Sequence, residues 1–200
     1  MRNLQQQTAN GRWKLFLILA VCAAPLVFSY LTYYVIKPES KTNYGTLLDP
    51  RSYPMPALHL RALGENADLA QGLHTYQGKW IMLTVADASC DAGCQKQLYD
   101  MRQLRLAQGR EMDRIERIWL VTDQQPISIP LLKEYDGMRV LRANPEELQH
   151  WLPAEKGKQS TNHLYLIDPL GNLMMRYPPD ADPNKIKKDL IKLLKASSIG

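Results

Sequence analysis

The sequence has 200 residues, of which 45% are hydrophobic and 22% charged, and its formal net charge is +5. This length allows one domain of ordinary size and one further segment. Lys and Arg residues are spread along the chain, and no basic run is interleaved with aromatic residues. The composition therefore argues against a nucleic-acid-binding protein.

The first predicted element is an uncharged segment at residues 15–36, "LFLILAVCAAPLVFSYLTYYVI". As an α-helix this segment measures roughly 33 Å, enough to cross a bilayer core of ~30 Å. A cleaved signal peptide is the rival interpretation, but its apolar core has only ~7–15 residues. We therefore predict one uncleaved transmembrane helix.

Basic residues before this segment set the expected orientation. Arg2, Arg12 and Lys14 lie in residues 1–14, and positively charged flanks of a membrane helix stay in the cytoplasm. Residues 1–14 are thus predicted to be a cytoplasmic tail. We expect a single-pass protein of the bacterial inner membrane, with its C-terminal domain in the periplasm, an oxidising compartment.

Residues 37–56 are rich in proline and small polar residues, which predicts a tether. Residues 57–200 then show an α/β pattern. Buried strands are predicted at residues 79–86 and 117–122, with a helix between them at residues 92–108. Further elements are a strand at 57–63, a short helix at 129–135, a strand at 138–141, a helix capped by Asn144, a hairpin around "DPLGN" and a C-terminal helix from Asp182. This order predicts a thioredoxin-like domain.

The stretch "ADASCDAGCQKQL", residues 86–98, carries the candidate chemistry. Cys90 and Cys94 lie between a predicted strand and a predicted helix, and residues four apart share a helix face, so the two sulfurs can converge. A helix N-terminus stabilises a thiolate, which favours Cys90 in the cap or first turn, whereas the neighbouring Asp91 opposes it. Two thiolates suit Cu(I), but the pair can equally exchange disulfides or form a purely structural bridge.

The other candidate residues have simpler interpretations. Cys22 lies within the membrane segment and is expected to be an inert apolar residue. Asp123 is interpreted as a loop cap. The five lysines between residues 185 and 195 are expected to form a solvated helix face, which could also meet anionic lipid or an acidic partner. Three histidines are expected to be surface or packing residues: His59, His74 and His150.

The sequence resembles the Sco/SenC family in three stretches, "GKWIMLTVADASCDAGCQKQLYDM", "RIWLVTD" and "HLYLIDPLGNLMMRYP", which are followed by a C-terminal helix. The resemblance covers roughly residues 55–196. It implies a membrane-anchored, thioredoxin-like protein that serves the dinuclear copper centre of cytochrome c oxidase. It also implies copper bound by Cys90 and Cys94, and the oxidase subunit that carries the copper centre as the partner.

The sequence departs from the family pattern at the site itself. Family members usually have a proline directly after the first cysteine and often one after the second, and here those positions are Asp91 and Gln95. The family's third copper ligand is a histidine in the loop before "YLIDP"; here the count leads to Ser160, and His163 lies three residues later. His163 is the candidate third ligand that the resemblance implies. Because three residues of extended chain cover ~10 Å, we expect His163→Ala to leave Cu(I) affinity nearly unchanged.

The combined expectation is an assembly factor for a copper-containing respiratory oxidase. The cysteine pair would carry Cu(I) or reduce client cysteines, in contact with the oxidase and with other periplasmic copper or thiol proteins. Two alternatives stay open. One is a general periplasmic thiol–disulfide oxidoreductase, and the other is a non-catalytic accessory protein whose cysteine pair is structural.

Overall fold

The structure, a computed structural model, describes residues 3–36, 43–63, 72–197 and 199. The chain forms two compact units, Met1–Thr42 and Asn43–Gly200. Residues 1–2 of the predicted tail and residues 37–42 of the predicted tether lie outside the described residues.

The first unit is a long helix, α1 (Asn3–Leu31), followed by a π-helical turn at Thr32–Ile36. The segment Arg12–Val35 is long and apolar enough to cross a membrane. Its large apolar side chains are exposed, as lipid-facing residues are. Within the described residues this is one candidate membrane span, and it agrees with the helix predicted at residues 15–36.

The second unit is built on a mixed sheet. The described strands are β1 (Thr46–Leu47), β2 (Arg61–Ala62), β3 (Trp80–Ala86), β4 (Ile115–Val121), β5 (Arg139–Arg142), β6 (Tyr165–Ile167) and β7 (Leu173–Arg176). Their order in the sheet is β1-β7-β6-β3-β4-β5-β2. Neighbours β3, β4 and β5 are parallel, and the remaining pairs are antiparallel.

Helices cover both faces of this sheet. They are α2 (Ala92–Leu106), α3 (Ile129–Glu134), α4 (Pro145–Trp151) and α5 (Pro183–Ala196). Leu98 of α2 and Leu190 of α5 pack with Trp119 on one face, and Trp151 of α4 packs with Ile118 on the other. Every residue of β3 and β4 is buried, as their continuous apolar runs predict. Because β3 is the middle strand in the order of the described strands, its C-terminal end lies in the middle of the sheet.

Most elements lie where the sequence predicts them, because their signals are local. The Asn144 side chain accepts from the Glu146 N–H at 2.9 Å and caps α4, and Asp182 does the same for α5 through Asn184. The predicted hairpin is the antiparallel pair β6–β7. The strand predicted at residues 57–63 is shorter, since only Arg61–Ala62 pairs with β5.

The structure shifts the boundary between tether and domain. The sequence predicts a tether over residues 37–56, but the domain begins at Asn43. Thr46 and Leu47 form β1 and pair with β7. The buried carboxylate of Asp189 accepts the backbone N–H groups of Tyr44 and Gly45 at 2.9 and 3.0 Å. A strand of two residues among prolines has no periodicity to reveal it, and its carboxylate partner lies in the last helix.

Candidate redox site

Cys90 and Cys94 form a disulfide directly after β3, and their Cα atoms are 5.1 Å apart. The two residues are 1% and 6% exposed. Cys90 donates its N–H to the Asp87 carbonyl at 3.1 Å and has a φ of +42°, in the left-handed region that costs an L-residue about 1–2 kcal/mol. The tight turn at Cys90, rather than a shared helix face, brings the two sulfurs together.

Helix α2 begins at Ala92, as the sequence predicts, but Asp91 rather than Cys90 is its cap. The N-cap is Asp91, and its carboxylate accepts the Cys94 N–H at 2.8 Å. Cys90 therefore precedes the cap, and the prediction that it occupies the cap or first turn is wrong. The Asp91 carboxylate satisfies an N–H at the helix N-terminus, and its charge offsets the stabilisation that this terminus gives to a thiolate.

Gln95 holds the turn from the other side. Its Nε2 donates to the Cys90 carbonyl at 2.9 Å, and its own carbonyl accepts from the Tyr135 hydroxyl at 3.2 Å. Asp91 and Gln95 stand at the two positions where the Sco/SenC pattern has proline. Both residues make hydrogen bonds that a proline side chain cannot make. In this chain hydrogen bonds therefore fix the conformation of the loop in place of proline rings.

A cavity of about 450 Å³ lies beside the disulfide and is lined by both cysteines. Its charged residues are mostly acidic: Asp87, Asp91, Asp100 and Asp180, with Lys96 as the one cation of the lining. Lys96 and Asp100 form an ion pair at 2.9 Å, and the hydrogen bond to Asp100 raises the pKa of Lys96 above its ordinary value. A reacting group that approaches the disulfide through this cavity therefore meets negative potential.

His163 lies on the far side of the segment that closes this cavity. Thr161, Asn162 and Leu164 line the cavity, whereas His163 does not and is fully buried. Its Nδ1 lies 2.9 Å from the Tyr177 carbonyl, and its Nε2 accepts the Glu155 N–H at 3.2 Å. A carbonyl only accepts, so Nδ1 carries the proton and the ring is neutral. Neither ring nitrogen is left for a metal ion.

This arrangement predicts a dependence of stability on pH. Burial lowers the pKa of His163 below its ordinary value of 6.5, so the unfolded chain binds a proton at a higher pH than the folded chain does. The contribution of the neutral His163 ring to the free energy of unfolding is fully present above pH 6.5 and is lost progressively as the pH falls below that value. Urea unfolding at several pH values should show this acid limb in the wild type.

Two variants test the assignment to His163. His163→Gln should flatten the acid limb, since no titrating group remains at that position. The exposed His74 provides the matched control, and His74→Gln should leave the limb unchanged. A limb that persists in His163→Gln assigns it to another group.

The remaining candidate residues lie where the sequence predicts. His59 pairs with Glu147 at the surface at 2.9 Å, and His150 bonds within its own helix to the Glu146 carbonyl. Asp123 accepts the Ala88 N–H at 3.1 Å, as a loop cap does. Within the described ranges no three His, Cys, Asp or Glu side chains are grouped so as to hold a metal ion.

A family model for a transmembrane-like, thioredoxin-like C-terminal domain matches residues 80–197. The chain belongs to this family. The match spans the strand before the disulfide, the disulfide itself and everything through α5, so the thioredoxin-like fold predicted from the order of elements is confirmed. No curated protein sequence matches the chain.

Solved structures share the fold of this family member at low sequence identity. Apo Sco1 from Thermus thermophilus is 20% identical, with a TM-score of 0.52 over 78% of this chain and 99% of that one. Copper-bound ScoI from Arabidopsis thaliana is 15% identical, with a TM-score of 0.51 over 77% and 99%. The thioredoxin domain of a thiol-disulfide oxidoreductase from Bacteroides vulgatus is 16% identical, with a TM-score of 0.52 over 74% and 99%. The resemblance to Sco/SenC proteins therefore holds at the level of the fold.

Proposed function

We propose that this protein is a membrane-anchored thiol–disulfide protein that assists the assembly of a copper-containing respiratory oxidase. The observation that carries the proposal is the Cys90–Cys94 disulfide, which lies where β3 ends and lines a cavity. In a thioredoxin-like fold this junction is the place where thiol chemistry occurs. The proposed client is the oxidase subunit that carries the copper centre, on the periplasmic side of the inner membrane.

The proposed reaction is thiol–disulfide exchange. The reduced protein attacks a client disulfide through the Cys90 thiolate and forms a mixed disulfide. Cys94 then attacks Cys90 and releases the client as a dithiol, so that two electrons and two protons pass to the client and the disulfide of the structure forms. A membrane or periplasmic dithiol donor must reduce the pair again. Other periplasmic thiol proteins are the class of partner that fits this step.

Copper enters the proposal as cargo. The reduced pair supplies two sulfur donors, which suit Cu(I). His163 supplies no third donor in this structure, because both of its ring nitrogens bond to backbone groups. The donor set thus fits two-sulfur Cu(I) handling and disfavours stable Cu(II) binding. Copper-bound Sco relatives at the level of the fold support a relationship to copper, and the thiol-disulfide oxidoreductase among the similar structures supports exchange.

A trapping experiment tests the exchange step. In cells that express Cys94→Ser, the attacking Cys90 has no resolving partner, so a mixed disulfide with the client should accumulate and be visible on a non-reducing gel. Cys90→Ser should trap nothing. Mass spectrometry of the trapped complex identifies the client, and a complex that forms equally with both variants would contradict the assigned roles.

A copper titration tests the cargo. The reduced protein should bind one Cu(I), the oxidised protein none, and His163→Ala should bind Cu(I) within about twofold of the wild type, since the imidazole makes no metal bond. A strong thiolate-to-Cu(II) charge-transfer band that disappears in His163→Ala would instead restore a three-ligand copper site. Absence of both trapping and copper binding favours the accessory protein with a structural bridge.

A further inference from the structure

The outer face of α5 carries a single stripe of positive charge. Four of its five lysines, Lys185, Lys188, Lys192 and Lys195, are exposed. Because successive residues of an α-helix are 100° apart, these four fall within about 80° of arc. The only acidic residue within the helix, Asp189, is 2% exposed and points into the domain. Asp189 therefore does not neutralise Lys185, Lys188 or Lys195 at the surface of the helix.

The inner face of α5 is fully used by the fold. Ile186, Leu190 and Leu194 are buried in the core and Leu193 packs against it. Ile191 is half-buried, so the helix presents no continuous apolar face to a bilayer or to another protein. Any partner of the outer face must be recognised by charge. An anionic surface is the complement of the four exposed lysines on this face.

The position of α5 in the chain indicates which anionic surface this is. The first residues of the domain contact α5. The Asp189 carboxylate accepts the N–H groups of Tyr44 and Gly45, and the Lys185 ammonium lies 5.1 Å from the centre of the Tyr44 ring. Only six residues, 37–42, separate Asn43 from Ile36, where the helical segment of the candidate membrane span ends. A fully extended chain of that length covers at most about 25 Å.

We propose that the lysine stripe of α5 docks on the anionic phospholipid surface of the membrane that holds the anchor. The anchor keeps the domain at a high local concentration beside the lipid headgroups, so that a modest attraction is enough to fix its orientation. The docking is electrostatic and reversible by salt, since the apolar residues of α5 are buried or half-buried in the domain.

Docking has a consequence for the redox site, which rests on the proposed function. Ala181 and Ile186, at the N-terminal end of α5, line the cavity beside the disulfide. A helix that lies along the membrane surface therefore holds this cavity close to that surface. Docking of the domain therefore favours clients whose cysteines lie just above the bilayer.

The test uses the full chain in lipid nanodiscs of phosphatidylcholine alone, or of equal parts phosphatidylcholine and phosphatidylglycerol. Lysines are labelled with an amine-reactive reagent and the rates are read by peptide mass spectrometry. In the anionic discs Lys185, Lys188 and Lys195 should label about fivefold more slowly, because each lysine at an anionic surface gains a factor of that order. High salt should abolish the protection.

Two triple variants make the comparison sharp. Fluorescence energy transfer from a dye at the C-terminus to a lipid dye should rise in anionic discs for the wild type. It should also rise for the control variant Lys133→Gln/Lys156→Gln/Lys158→Gln. It should not rise for Lys185→Gln/Lys188→Gln/Lys195→Gln.

Equal labelling in both kinds of disc overturns the proposal. Protection that appears only in native membranes points to an acidic protein partner and overturns it as well. Thiol exchange with a soluble peptide disulfide should be unchanged in both variants, so that this result is independent of the redox assignment.

Discussion

Replacing Cys90 with serine should abolish thiol exchange and oxidase maturation while the domain stays folded. Thiol exchange needs both sulfurs, because a single thiol cannot reduce a client disulfide to a dithiol and form the Cys90–Cys94 disulfide. The bridge itself closes a loop across only three intervening residues. The chain-entropy relation gives such a small loop a stabilisation of about 2 kcal/mol, which a domain with this core can lose.

The measurement has two parts. Oxidase activity of cell membranes and reduction of an aromatic disulfide by the purified protein report the chemistry, and urea unfolding in detergent reports stability. Cys22→Ser is the matched control, because Cys22 is a free cysteine in α1, and both readouts should stay at the wild-type level. If Cys90→Ser fails to fold, the pair is a structural bridge and the redox proposal is wrong.

Asp189→Ala should lower the free energy of unfolding of the domain by about 3 kcal/mol, since it leaves two backbone N–H groups without an acceptor and each unsatisfied group costs roughly 1–3 kcal/mol. These N–H groups belong to Tyr44 and Gly45, at the beginning of the domain. The result should be seen by urea unfolding of the full chain in detergent, followed by near-ultraviolet circular dichroism of the buried aromatic residues.

Asp113→Ala is the control for this variant. Its carboxylate is 79% exposed and pairs only at the surface with Arg105, so its loss should cost less than about 1 kcal/mol. Asp189→Asn keeps one acceptor oxygen and should recover part of the stability. A loss in Asp189→Ala no larger than that in Asp113→Ala means that the chain around Tyr44 is not held by this carboxylate.

The sequence predicts the elements whose signals are local and misses contacts between distant parts of the chain. The apolar run of β3 and the cysteine spacing that follows it are sufficient to place the redox site at a strand–helix junction. The left-handed turn at Cys90 is not visible, because a non-glycine residue with positive φ has no sequence signature. Asp189 meets Tyr44 across 145 positions, and no pattern within either segment indicates it.

His163 shows the same limit at a candidate ligand. The resemblance to a family places a histidine near the right position, but its availability depends on the Tyr177 carbonyl, which lies 14 positions away. Both ring nitrogens are occupied by partners that the sequence does not reveal. A family pattern locates a residue type along the chain, whereas hydrogen bonding decides whether its lone pair is free.

The small strand β1 also determines where the domain can be cut from its anchor. It occupies the outer side of β7, so that the backbone groups of β7 that face it are paired. A soluble fragment that began at Ala57, as the proline-rich composition suggests, would expose these groups as a free edge, and free edges recruit other chains. Fragments prepared for crystallisation or for kinetics should therefore begin at or before Asn43, and aggregation of shorter ones would reflect the missing edge rather than an unstable fold.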